Sequence, residues 1–244
     1  MAAAAAAASG PAGSRSGDAS AHDPEAVAAR VIMEATASAH RPIRTLRCFL
    51  AVLGDQATGK SSWLSFLQES KFSAGYRMTS SPGLQVLTVV AEEEDAATAK
   101  ERAAAGEALT RVEFHCLDTQ GNEAFFPLNT GDVVWERADA VCLFYDVSVR
   151  DTFTSLSKWR RRLSEQAPAA NDGFVLCNKM DLDDDMHAVD EEEARAFAEA
   201  QGLDFHACSV KDGTGVKEPL QALAARIARR FNETVEAAKA AASK

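Results

Sequence analysis

The chain has 244 residues and a net charge of −10; alanine alone supplies 48 residues, sixteen of them within the first 39. That length suits one large domain, or one domain with appendages. The acidic balance argues against nonspecific binding to nucleic acid or anionic lipid, which needs a basic face, and no uncharged apolar run reaches the ~18 residues of a membrane span.

Residues 1–44 are rich in Ala, Ser, Gly and Pro and open with seven consecutive alanines. They lack the charged start and apolar centre of a secretory signal, and Asp18, Asp23 and Glu25 do not suit a transit peptide. A disordered extension is expected there. From Thr45 short apolar runs alternate with helical patterns. Leu46–Leu53, Leu84–Ala91, Arg111–Leu117, Ala140–Val147, Gly173–Cys177 and Leu203–Cys208 read as strands. Ser61–Glu69, Thr154–Gln166, Glu191–Ala200 and Pro219–Val235 read as helices. Asp190 and Glu193 have the spacing of a capping box, and Leu220, Leu223, Ile227 and Phe231 share one face of the last helix. The alternation predicts an α/β fold with a mostly parallel six-stranded sheet and helices on both faces. Residues 92–110 run from acidic to alanine-rich without a crossover helix, which predicts a solvated extension of an antiparallel edge hairpin.

The five cysteines are odd in number, lack zinc-site spacing and sit in or beside apolar runs, so buried thiols are expected. The five histidines are scattered without metal-ligand spacing. The chemistry lies instead in four short motifs at strand ends. Gly54-Asp55-Gln56-Ala57-Thr58-Gly59-Lys60-Ser61 joins a strand to a helix and matches G-x-x-x-x-G-K-[ST]. Its consecutive N–H groups and the helix N-terminus suit phosphate, Lys60 reaches the terminal phosphates, and the Ser61 hydroxyl suits Mg²⁺. Asp118-Thr119-Gln120-Gly121 offers a carboxylate to the magnesium shell and the Gly121 N–H to the terminal phosphate. Asn178-Lys179-Met180-Asp181 places the Asp181 carboxylate where it could accept from both N–H donors of a guanine edge, a pair adenine does not present. Cys208-Ser209-Val210-Lys211 places backbone amides at the end of the last strand, within reach of the guanine oxygen.

With these motifs the chain resembles the Ras superfamily of small GTPases, in its Rab-like branch, from about Thr45 to Phe231; Tyr145-Asp146-Val147-Ser148, Phe153 and Trp159 strengthen the likeness. The resemblance implies one Ras-like P-loop G domain over 45–235, with GTP or GDP and Mg²⁺ as cofactors. It places Gln56, Ala57, Thr58, Gly59, Lys60, Ser61, Ser62, Thr79, Gly121, Asn178, Lys179, Asp181, Ser209, Val210 and Lys211 around the nucleotide. Ser61, Thr79 and Asp118 would ligate the metal, with Ser80 and Ser81 as competing registers for the switch threonine.

Tyr76-Arg77-Met78-Thr79-Ser80, Ser157-Lys158-Trp159 and Glu193-Ala194-Arg195-Ala196 are also similar to the Rab-like GTPases of intraflagellar transport. That resemblance implies a subunit of the transport complex, in a heterodimer with its small β-sandwich subunit. It also implies a location in the cytoplasm, in the cilium or flagellum, and at its base.

Two departures shape the expected mechanism. Asn122 stands where the family's water-positioning glutamine follows the Asp-x-x-Gly motif. An amide drawn back by about 1.3 Å from the attacking water predicts slow hydrolysis. Second, the last cysteine is Cys208 and Ala2 follows Met1, so neither prenylation nor myristoylation is expected, and residues 236–244 read as a tail without a lipid anchor. A structural GTP-binding subunit, a nucleotide-cycling switch and a vesicle-trafficking Rab are the three readings these features leave open.

Overall fold

Ile43–Leu53 (β1) turns from alternating exposure to full burial along its length, as befits a strand running from the rim of a sheet into its centre. It occupies the third place in a six-stranded sheet of order β2-β3-β1-β4-β5-β6. The other strands are Gly83–Val90 (β2), Leu109–Asp118 (β3), Ala140–Asp146 (β4), Asp172–Asn178 (β5) and Asp204–Ala207 (β6). Only β2 and β3 pair antiparallel; every other neighbour is parallel. All seven residues of β4 are buried, the continuous apolar run of a parallel strand covered on both faces. The computed structural model describes residues 43–72, 83–91, 108–119, 121 and 137–242, all within one compact unit, Pro42–Lys244. Residues 92–107 of the expected hairpin extension lie outside the described residues, as does the N-terminal extension, whereas Leu109 and Thr110 at its end are not solvated extension but part of β3, paired with Ile43 and Arg44.

Helices Lys60–Glu69 (α1) and Glu218–Ala242 (α5) cover one face. There Trp63, Leu64, Phe144, Phe174, Leu220 and Leu223 form one apolar cluster, and the Trp63 indole donates to the Val216 carbonyl at 3.0 Å. Arg150–Thr154 (α2), Leu156–Gln166 (α3) and Glu191–Ala200 (α4) supply the other face, around Leu143, Tyr145, Leu156, Trp159, Val175 and Ala194. All five cysteines are free and buried, as expected, and burial pushes their thiols upward.

The boundaries differ from the sequence pattern by three residues or more in three places. β1 begins at Ile43 because its first residues pair with Leu109–Glu113 of β3, although most of their side chains face solvent. The helix expected over Thr154–Gln166 begins earlier, at Arg150, and is interrupted at Ser155, whose N–H still donates to the Asp151 carbonyl at 3.0 Å while the Thr154 and Ser155 hydroxyls donate to the same oxygen. α5 runs to Ala242, although no residue beyond Ala228 is buried, because alanine, glutamate and lysine favour helix without packing. The Asp190 cap forms, accepting from the Glu192 and Glu193 amides, but the Glu193 carboxylate pairs with Arg150.

Two predictions arise from the sheet. Gly173, the second residue of β5, takes φ 139°, and a methyl group there would lie 1.9 Å from the Val141 carbonyl oxygen. Gly173→Ala should cost about 3 kcal/mol, lowering the melting temperature by roughly 10 °C in calorimetry. On β6, burial and then the Arg226 and Arg195 charges hold His206 below its ordinary range, against the pull of Asp204 and Glu218, and its Nε2 is buried without a hydrogen-bond partner. The unfolded chain therefore binds this proton more readily. Stability should fall as pH drops from about 6.5 toward the depressed folded value. His206→Gln should flatten that part of a stability–pH curve measured by urea titration.

Candidate functional site

Because β1, β3, β5 and β6 are parallel, their C-terminal ends share one edge of the sheet, and the four motifs emerge there together. Residues 54–59 leave β1 and wrap toward α1, whose cap Gly59 sits at φ 108°. A methyl group at Gly59 would lie 2.3 Å from Asn178 Nδ2, and one at Gly54 would lie 2.1 Å from the Phe144 carbonyl oxygen. The loop is thus pressed against β4 and β5 so closely that only glycine fits at either place. Ala57 takes φ 61°, a conformation that costs a non-glycine residue about 1–2 kcal/mol.

Lys60 is buried and its Nζ donates to the Gly54 and Asp55 carbonyls at 2.8 and 2.6 Å. Burial lowers its pKa to about 8, against the opposing pull of Asp118 and Asp55. Ser61 Oγ donates to Asp118 Oδ2 at 2.6 Å, while Asp118 Oδ1 is buried with no hydrogen-bond partner. Burial pushes the Asp118 carboxyl above its ordinary range, opposed by the Ser61 hydroxyl and Lys60. The Ser61 hydroxyl and the Asp118 carboxylate, one of whose oxygens is buried and unsatisfied, make a hard oxygen donor set, which fits Mg²⁺. Gly121 lies against the loop, where a methyl group would come within 2.3 Å of the Gln56 amide nitrogen.

The other half is built by Asn178 and Asp181. Asn178 Nδ2 donates to the Thr58 carbonyl at 2.8 Å, and Asn178 Oδ1 accepts from the Val210 amide at 3.2 Å and the Cys208 thiol at 3.6 Å. One side chain thereby ties the phosphate loop to the β5 and β6 loops. Asp181 accepts from Ser209 Oγ at 2.7 Å and Lys211 Nζ at 2.9 Å. Desolvation works against its charge, but those two donors hold its carboxyl below the usual range, so it stands as a fixed anion at the rim. Lys179 adopts φ 70°, and its ammonium pairs with buried Asp146. Local strain of this kind gathers at binding sites.

Gln56, Ala57, Thr58, Gly59, Lys60, Ser61, Asp118, Gly121, Asn178, Lys179, Asp181, Ser209, Val210 and Lys211 thus come together at one sheet edge, with Ser62 following on α1. Thr79, Asn122 and Gln120 lie outside the described residues. Two contacts have no signature within the motifs: the Lys179–Asp146 pair and a hydrogen bond from Trp159 Nε1 to Asp55 Oδ1. Both join positions remote in sequence, and only the Tyr145-Asp146 and Trp159 landmarks hinted at them.

Comparison with known proteins agrees with this geometry. The Ras family model matches residues 50–229. The human intraflagellar transport protein 27 homolog is 32% identical over 200 residues, spanning 80% of this chain and 97% of that protein. Ras-related protein Rab7A of Mesembryanthemum crystallinum is 33% identical over 181 residues, 72% of this chain and 79% of the relative. Human Ras-related protein Rab-27A is 31% identical over 191 residues, 77% and 81% respectively. A family model matching well over half the chain, on a sheet of this order with these four loops at one edge, means that the chain belongs to the Ras family of small GTPases.

Proposed function

We propose that this protein binds GTP with Mg²⁺, hydrolyses it slowly, and serves as the Rab-like GTPase subunit of the intraflagellar transport complex. The observation that carries the nucleotide half is the carboxylate of Asp181, oriented by Ser209 and Lys211 while Asn178 fastens the adjoining loops to the phosphate loop. In this reading Asp181 accepts from the guanine N–H donors, the Ser209, Val210 and Lys211 segment addresses the guanine oxygen, and Lys60 with the residue 56–62 amides holds the phosphates. Ser61 and Asp118, joined by Thr79, would hold Mg²⁺, which supplies neutralising charge to the phosphate oxygens. The transport role rests on the likeness to intraflagellar transport protein 27 homologs, which spans nearly their whole length. It carries with it a small β-sandwich subunit as heterodimer partner, and a place in the cytoplasm and at the ciliary base and shaft.

A second reading, a nucleotide-cycling Rab switch in vesicle traffic, is favoured by the comparable identities to Rab7A and Rab-27A. Native purification separates the two. Chromatography of the released nucleotide, with mass spectrometry of co-purifying protein, should find GTP and one small stoichiometric partner. GDP and a lone monomer would overturn the transport reading in favour of the cycling switch. Slow hydrolysis is assigned to Asn122. Asn122→Gln should raise the single-turnover rate about a hundredfold if the displaced amide is limiting, and an unchanged rate would remove Asn122 from that role.

A further inference from the structure

The phosphate loop receives one support from outside the four motifs that fits no packing role alone. Trp159, on α3, is 1% exposed and lies in the apolar cluster beneath the loop, so its ring has one fixed orientation. Its indole Nε1 donates to Asp55 Oδ1 at 2.8 Å, bridging 104 positions of sequence. Asp55 is the second residue of the loop, and its main-chain carbonyl accepts from Lys60 Nζ at 2.6 Å and from Thr58 Oγ1 at 2.9 Å. The residue fastened sideways to α3 therefore shares with Gly54 the carbonyls that aim the lysine, and its carbonyl also accepts from the Thr58 hydroxyl in the turn.

We propose that Trp159 is a positioning residue for nucleotide binding: its N–H fixes the Asp55 carboxylate, and with it one of the two carbonyls that orient Lys60. The inference rests on the nucleotide-binding function proposed above. Two features give the bond its effect. A hydrogen bond from a buried, preorganised donor to a carboxylate is stronger than a neutral one. The loop also has strain to hold, because Ala57 sits at φ 61° two residues further on, and a strained segment keeps its shape only while its surroundings over-determine it. Once the Asp55 side chain is free to turn toward water, the loop can relax and carry Lys60 away from the phosphates. Trp159 touches no reacting atom; it acts through Asp55.

The test is release of a fluorescent GDP analogue from the full-length protein in Mg²⁺ buffer. Trp159→Phe keeps an aromatic ring but loses the donor, and Asp55→Ala loses the acceptor. Each should release nucleotide about tenfold faster than the parent. The double variant should be no faster than either single one, because both remove the same bond. Asp55→Asn, which retains an oxygen acceptor, should recover most of the loss seen in Asp55→Ala. Tryptophan emission should shift in Asp55→Ala and return toward the parent in Asp55→Asn, a readout that survives even if Trp159→Phe folds poorly. Parent-like release from Asp55→Ala, or multiplying effects in the double variant, overturns the positioning role while leaving nucleotide binding intact. A parent protein that takes up no GDP analogue overturns the proposed function, and this role with it.

Discussion

Lys60→Ala should weaken GTP binding by a hundredfold or more while leaving the fold in place. The ammonium lies buried at the head of α1, drawn in by the Gly54 and Asp55 carbonyls, and no other Lys or Arg lies within the loop. A charge-assisted hydrogen bond contributes about 1.5–3 kcal/mol, and two of them to the terminal phosphates give roughly two to four powers of ten in affinity. Stability should respond differently. Burial already depresses the Lys60 pKa to about 8, so its charge is held at a cost that the alanine variant does not bear. Calorimetric titration should therefore show lost binding, and thermal denaturation of the nucleotide-free proteins should place the two midpoints within a few degrees. A large loss of stability would mean that Lys60 is structural first.

Asp181→Asn should exchange base preference. Its Oδ1 accepts from Ser209 and its Oδ2 from Lys211, and each carboxylate oxygen has a second lone pair, which suits the two N–H groups of guanine. An amide keeps one acceptor but turns the second position into a donor, which faces the guanine amino group and suits an oxygen there instead. GTP affinity should fall about a hundredfold, while xanthosine triphosphate, whose base carries that oxygen, should bind better than GTP. Competition between the two nucleotides against a fluorescent analogue measures the exchange directly. Equal losses for both would place Asp181 outside the base site.

The phosphate and guanine motifs were legible because each is a contiguous run whose residues act together, and because β1, β3, β5 and β6 end at one edge of a parallel sheet. The sheet itself was legible wherever an apolar run coincided with burial, most clearly across β4 and β5. It was not legible at Ile43–Thr45, where main-chain pairing with β3 forms a strand whose side chains mostly remain in water. The interruption at Ser155 was hidden for a related reason, since it leaves no mark on the hydrophobic period of the flanking residues. Contacts between distant positions left no local trace. Arg226 of α5 donates to Asp172 and the Gly173 carbonyl at the start of β5, and to Asp204 at the start of β6. The amphipathic pattern of α5 placed it on the sheet but could not supply these partners. Ser61 and Asp118 were each expected near a metal, yet the direct hydrogen bond between them, with Asp118 Oδ1 left unpartnered, required the fold.

The central claim is selective binding of a guanine nucleotide at the edge shared by Lys60 and Asp181. Side-by-side calorimetric titration of the nucleotide-stripped, full-length protein with GTP and with ATP, both in magnesium buffer, tests it most directly. Saturable one-to-one heat from GTP and none from ATP is the predicted result; indistinguishable curves for the two nucleotides would contradict it.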